Sequence, residues 1–227
     1  MTSLKVENRN VVIPGELLAE GMDTLPGDNT YREDDKIYSK VLGLVSLSGR
    51  VVRITPLSGS YVPKVDDKII CRVIDIAMSG WRFNTGTAWT AMLNVKDATN
   101  RFIKREADLS QILAIDDYVI AKISKVTSQM LIDLSLREPG LQKIEGGRII
   151  QINPQKVPRV IGKKGSMISM IKDKTGCNIT VGQNGAIWVL GKNENLAEKA
   201  IKTIEARSHE EGLTEKMEKF LQTEVSS

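Results

Sequence analysis

The stretch "VPRVIGKKGSMISMIKDKTG", residues 157–176, decides the fold of the C-terminal part of this chain. Gly162 and Gly165 bracket two lysines, Lys163 and Lys164. Val160 and Ile161 precede them, and Ile168, Ile171 and Thr175 follow at helical spacing. Gly176 stands where a helix end favours glycine, which enters the left-handed region cheaply. The stretch therefore reads as a short helix, a turn and a second helix. Upstream, "GRIIQIN" (147–153) is a strand, and Pro154 is tolerable in the first turn of the helix after it. Downstream, "NITV" (178–181) and "AIWVLG" (186–191) are strands around the turn "GQNG" (182–185). "NENLAEKAIKTIEAR" (193–207) is an amphipathic helix, with Leu196, Ala200, Ile201 and Ile204 on its apolar face and Glu198–Lys202 as an i,i+4 pair.

The resulting order is β-α-α-β-β-α with a GxxG turn between the first two helices, which is the KH arrangement. A side chain at Gly162 or Gly165 would hold a nucleic-acid backbone away from the amides at the start of the following helix. That helix end carries partial positive charge, and Lys163 and Lys164 add two full charges. Such a loop clamps about four nucleotides of a single strand. Arg159, Gly162, Lys163, Lys164 and Gly165 are the candidate RNA-binding residues here. An apolar groove of Val160, Ile161, Ile168 and Ile179 would supply base preference. The bland reading of a GxxG alone is an ordinary helix–helix turn.

Charge distribution supports the nucleic-acid reading. Of the net +4, residues 138–207 hold twelve basic against six acidic side chains, whereas residues 1–63 are net −1 and 208–227 net −3. A local basic excess is the electrostatic footprint of a nucleic-acid binder, although a solvated basic face gives the same count.

The preceding part reads as β structure. In "KVLGLVSLSGRVVRI" (40–54), Val41, Gly43, Val45 and Leu47 share a face, and Ser48-Gly49 supplies a hairpin turn. Tyr61 and Pro63 close this first segment. From residue 64 to 137, three strand-like runs are separated by Ser79-Gly80 and Thr85-Gly86, and two more follow as "YVIAKISKV" and "MLIDLSLR". Five short strands suit an OB-type barrel. Trp81, Phe83 and Trp89 are either stacking surfaces for bases or barrel filling. Arg101, Lys104 and Arg105, beside Phe102, form a basic cluster suited to phosphate. The expected division is 1–63, an N-terminal β domain; 64–137, the OB barrel; 138–207, the KH domain; and 208–227, a tail. In the tail Leu213, Met217, Phe220 and Leu221 fall near one helical face.

Catalysis and metal binding find little support. The cysteines, Cys71 and Cys177, lie far apart, and the one histidine is His209. A structural zinc site needs about four such ligands, so two buried, reduced thiols are expected. Asp66-Asp67 and Asp116-Asp117 read as acidic turns at strand entrances. No apolar run is long enough for a membrane span, and "MTSLKVENRNVV" lacks a signal-peptide core. The expectation is a cytoplasmic protein with no cofactor and no metal.

Five stretches carry a resemblance over nearly the whole length: "VVIPGE" (11–16), "YVPKVDD" (61–67), "SGW" (79–81), "VIGKKG" (160–165) and "GQNGAIWV" (182–189). They resemble the archaeal exosome cap subunits with an N-terminal β domain, an S-one-type OB domain and a KH domain, the ribosomal RNA processing protein four family. The resemblance implies a non-catalytic subunit that binds single-stranded RNA. It also implies three copies on a hexameric RNase PH-like ring, which degrades RNA by 3′→5′ phosphorolysis. Asp66 stands where OB domains of this type usually have glycine, which implies an altered turn. The alternatives are a free-standing OB/KH translation or transcription factor, or a structural adaptor of the ring that does not grip RNA.

Overall fold

A computed structural model describes residues 3–99, 108–208 and 212–225. The chain divides after Gly59 into two compact units.

The described strands of the first unit are Ser3–Leu4 (β1), Val11–Val12 (β2), Leu17–Glu20 (β3), Leu25–Pro26 (β4), Thr30–Glu33 (β5), Lys36–Ser39 (β6), Gly43–Ser48 (β7) and Val51–Pro56 (β8). They form two four-stranded sheets, ordered β1-β3-β6-β5 and β2-β7-β8-β4. The expected hairpin is β7–β8. Ser48 pairs with Val51, so the turn residues are Gly49 and Arg50, one position later than the sequence suggested. Val45 lies in a core with Val12, Leu18, Ile37, Val52 and Ile54, and Val41 and Leu47 pack at its edge. The period-two reading of this stretch therefore holds.

The second unit begins at Ser60, so Tyr61 belongs to it and does not close the segment before. Its ring is buried in the core of the barrel that follows, and its hydroxyl donates to Asp67 at 2.5 Å. Burial, then that carboxylate, push the Tyr61 pKa well up. The barrel strands are Lys68–Ala77 (β9), Gly80–Asn84 (β10), Thr90–Asn94 (β11), Tyr118–Val126 (β12) and Ile132–Ser135 (β13), with a short helix at Val95–Ala98 (α1). β9 pairs antiparallel with β10 and β12, and β10 with β11. β13 completes the circuit, antiparallel to β12 and parallel to β11. Closure removes the free edges that a five-stranded open sheet would expose. Ile69, Cys71 and Val73 on β9, and Val119, Ala121 and Ile123 on β12, point inward as their alternation requires.

Asp66, where glycine was the expected residue, sits in the turn before β9. It takes φ 73, in the left-handed region, a conformation that aspartate tolerates at a cost of about 1–2 kcal/mol. Its carboxylate faces Lys122 at 2.9 Å.

After Gln142–Lys143 (β14), which adds to β12, come Arg148–Gln151 (β15), Val157–Ile161 (α2), Ser166–Thr175 (α3), Asn178–Val181 (β16), Ala186–Leu190 (β17), Glu194–Ala206 (α4) and Leu213–Val225 (α5). This is the expected β-α-α-β-β-α order with one added helix. β17 is central, antiparallel to β15 and β16. The helices bury one face of this sheet, bringing Val157, Val160, Ile171, Ile201 and Ile204 onto Ile150, Ile179, Ile187 and Val189. Ala186 and Trp188, on the opposite face of β17, pack with Ile70, Ile120 and Leu141 of the barrel side. β17 is thus covered on both sides, which is why "AIWVL" is an unbroken apolar run and not an alternating one. The tail is ordered as α5, with Leu213, Met217 and Leu221 inside the same core. Both cysteines are free and buried. No described helix is long and apolar enough to cross a membrane.

Candidate nucleic-acid interface

The Gly-Lys-Lys-Gly turn is built from both sides. The Asn153 side chain caps the 3-10 turn before α2, accepting from Gln155 N at 3.0 Å, and Asn153 N donates to Glu205 on α4 at 2.6 Å. α2 ends at Gly162, whose amide donates to the Pro158 carbonyl at 3.0 Å. Lys163–Gly165 then form a single 3-10 turn, with Lys164 left-handed at φ 53. Gly165, at φ 81, starts α3, and no side chain caps that helix.

The two glycines serve different ends. A Cβ on Gly162 would lie 2.6 Å from Met167 Cβ and 2.8 Å from its amide nitrogen, so packing within the module requires glycine there. A Cβ on Gly165 would meet nothing within 4 Å. Only Gly165 leaves open space over the start of α3, where a phosphate could approach the amides. Gly162 thus has a packing reason to be glycine that Gly165 lacks.

Lys163 and Lys164 are exposed on this turn, and Arg159 is exposed on α2 just before it. Among the described residues none forms an ion pair with these three cations. The barrel differs. Arg72 faces Asp116 at 3.2 Å, Arg82 faces Asp75 at 3.6 Å, and Lys143 faces Asp117 at 2.5 Å. Lys122 is held by Glu138 at 2.6 Å and by Asp66, and these partners raise its pKa. The paired aspartates that a metal would need are therefore spent on ion pairs and turns, and Asp117 also accepts from Ala114 N at 2.7 Å.

Two expected contact sets change. Trp81 and Phe83 are 0% exposed inside the barrel; Trp81 Nε1 donates to the Leu113 carbonyl at 3.0 Å. They fill the barrel and do not stack bases, and Trp89 is half-buried against the same core. Of the expected groove, Val160 and Ile179 are core residues, which leaves Ile161 and Ile168 partly exposed. Arg101, Lys104 and Arg105 lie outside the described residues.

The "GQNG" turn has a structural task that its sequence does not announce. Asn184 is 3% exposed. Its Nδ2 donates to the carbonyls of Ile70 and Thr85, each at 2.8 Å, and its Oδ1 accepts from Ile70 N at 3.3 Å. One side chain thus pairs with β9 as a neighbouring strand would. Gln183 N adds a bond to the Lys68 carbonyl at 2.8 Å. A Cβ on Gly185 would lie 2.3 Å from the Ile152 carbonyl oxygen. The turn joins the KH module to the barrel. The signal available in the sequence was an asparagine in a short turn bracketed by Gly182 and Gly185.

Comparison with known proteins agrees with this architecture. Residues 9–58 match the family described as "Exosome RNA binding protein RRP4 N-terminal domain", and residues 147–206 match the KH domain. The chain is 41% identical over 220 residues to the exosome complex component Rrp4 of Methanothermus fervidus, covering 96% of this chain and 97% of that one.

This chain belongs to the Rrp4 family.

The Rrp4 of Thermococcus kodakarensis is 41% identical over 227 residues, covering 97% of this chain and 88% of the relative. The Rrp4 of Methanosarcina mazei is 42% identical over 219 residues, with 96% and 83% covered. A crystal structure provisionally described as an exosome complex RNA-binding protein superposes with a TM-score of 0.67 at 33% identity, covering 73% of this chain and 97% of its own. The KH match ends at residue 206, before α5.

Proposed function

We propose that this chain is a non-catalytic RNA-binding cap subunit of an archaeal exosome, acting in the cytoplasm. It binds single-stranded RNA and guides it into a hexameric RNase PH-like ring, on which three copies sit; the ring performs 3′→5′ phosphorolysis. The working division is 1–63 for docking, with Tyr61 packed in the barrel core, 64–137 and 138–207 for RNA, and 208–227 as a tail that carries α5. The observation that carries the reading is the near-full-length likeness to exosome components in a chain whose KH turn is open and cationic. The non-catalytic part rests on the thiols and carboxylates: burial holds the Cys71 thiol protonated, and the aspartate pairs are engaged as described.

Gly165, Lys163, Lys164 and Arg159 are the proposed backbone contacts, with Gly162 shaping the turn. Arg101, Lys104 and Arg105 are proposed as a second phosphate contact. The experiment adds the purified chain to a phosphorolytic ring. Co-elution, with faster degradation of a long single strand, is expected. No co-elution overturns the cap reading. Co-elution with unchanged degradation and no RNA binding identifies an adaptor instead.

A further inference from the structure

A cleft of about 310 Å³ opens between the barrel and the face of the KH sheet opposite its helices. It shares no residue with the Gly-Lys-Lys-Gly turn. Its size is at the lower end of small-ligand pockets, about 300–1,000 Å³, which suits one nucleotide and not several. The floor is apolar, from Ile70, Ile149 and Ala186. The walls carry Arg72, Tyr118, Asn84 and Gln151.

These wall groups have unused capacity. Arg72 and Tyr118 are directly paired across β9 and β12, so their side chains rise from the same face of the sheet. Among the described residues the Tyr118 hydroxyl has no hydrogen-bond partner. The Gln151 side chain donates to the Asn184 carbonyl at 3.2 Å, which leaves its own carbonyl oxygen available. Asn84 accepts from Gly86 N at 2.8 Å, which leaves its NH₂ available. Arg72 is tied only by an exposed ion pair to Asp116, and such pairs contribute little. Turning the guanidinium to a phosphate therefore costs little. Cys71 also lines the cleft, but burial keeps it a thiol, so nothing here performs nucleophilic chemistry.

We infer that the barrel–KH cleft binds one unpaired nucleotide of the RNA. The base lies on the apolar floor beside the Tyr118 ring, Gln151 and Asn84 meet its edge, and Arg72 takes the adjoining phosphate. A flat face, a mixed donor–acceptor edge and an anion are the three features that these walls match together. The inference rests on the RNA-binding reading above.

The test uses the full chain with an oligouridylate containing 4-thiouridine, irradiated at saturating protein and mapped by mass spectrometry. Crosslinks at Tyr118 or in the peptide holding Gln151 are expected. Lys163→Asp with Lys164→Asp keeps those crosslinks. Arg72→Ala and Tyr118→Leu each weaken oligomer binding roughly tenfold. Normal RNA affinity with crosslinks confined to other peptides overturns the cleft assignment and leaves RNA binding standing. Uridine monophosphate binding at Tyr118 without RNA crosslinks there assigns a free-nucleotide site and also overturns it. No RNA binding by the unaltered chain overturns both readings. The crosslink map needs no variant, so a misfolded substitution does not blunt the test.

Discussion

At Gly162 and Gly165 two identical residues, three positions apart, face opposite demands. Gly162→Ala pushes a methyl against Met167 Cβ and amide nitrogen, costing about 1–3 kcal/mol through overpacking, and adds a backbone penalty of about 1–3 kcal/mol at φ 76. Gly165→Ala meets open space and costs only the left-handed backbone penalty, about 1–2 kcal/mol. Its larger effect should be on RNA, because the methyl occupies the space over the start of α3. Denaturant unfolding and RNA titration of the two variants check this. Equal RNA losses after correction for unfolded protein would count against the division of roles. Lys163 and Lys164 have no such packing duty. Lys163→Asp with Lys164→Asp should leave the unfolding midpoint in place and weaken single-stranded RNA binding. If both contact phosphate, the slope of log affinity against log salt should fall by about 1.4, at roughly 0.7 per contact. An unchanged slope would move the grip to Arg101, Lys104 and Arg105.

Among the elements, α5 departs most from what the module needs by pattern alone. The matched KH residues end at 206, yet Leu213, Met217 and Leu221 are buried with Ile171 of α3. Burying an aliphatic side chain contributes about 1.5–3 kcal/mol, so α5 is a large part of this core. A chain ended at Ser208 should lose several kcal/mol in denaturant unfolding, with the loss confined to the KH module in hydrogen exchange. Unaltered protection of α3 would contradict this. β15 and α4 are also tied, through Arg148 and Glu198 at 2.5 Å, with Lys202 on the same carboxylate at 2.6 Å. Lys202, then Arg148, hold the Glu198 pKa below its ordinary value. A depressed carboxylate stabilises the fold above its unfolded pKa and loses that contribution as pH falls through the folded value. Glu198→Gln should therefore be less stable than the parent at neutral pH, with the gap closing in acid. A gap independent of pH would refute the tether.

At the scale of the whole second unit, barrel and KH sheet meet through apolar packing and the Asn184 bonds. Asn184→Ala leaves the Ile70 and Thr85 backbone groups buried without partners, at about 1–3 kcal/mol each. The expected outcome is a split unfolding transition, with barrel and KH module melting separately, read by calorimetry. A single transition at the parent temperature would show that the apolar contact alone holds them. The same seam forms the nucleotide cleft, so loosening it should also lower Tyr118 crosslinking.

Much of this was legible in the chain. The 3.6-residue spacing after Gly165 and the two-residue alternation of Val41, Gly43, Val45 and Leu47 depend on local geometry, so they specify helices and strands before any contact is known. The basic excess and the absence of nucleophile–base pairs likewise narrow the function. Trp81 and Phe83 were not legible, because alternation says that two residues share a face and not whether that face is inside a closed barrel. Closure depends on β13 pairing with β11 and β12, which are non-local bonds. Gly162 and Gly165 look alike in sequence, since the atom a Cβ would strike belongs to Met167 only once α3 has folded back. Asn184 is polar and follows a turn signature, which reads as solvent-exposed until β9 supplies its partners. Local propensity therefore determined the elements, and long-range packing decided which polar and aromatic residues face water and which face each other.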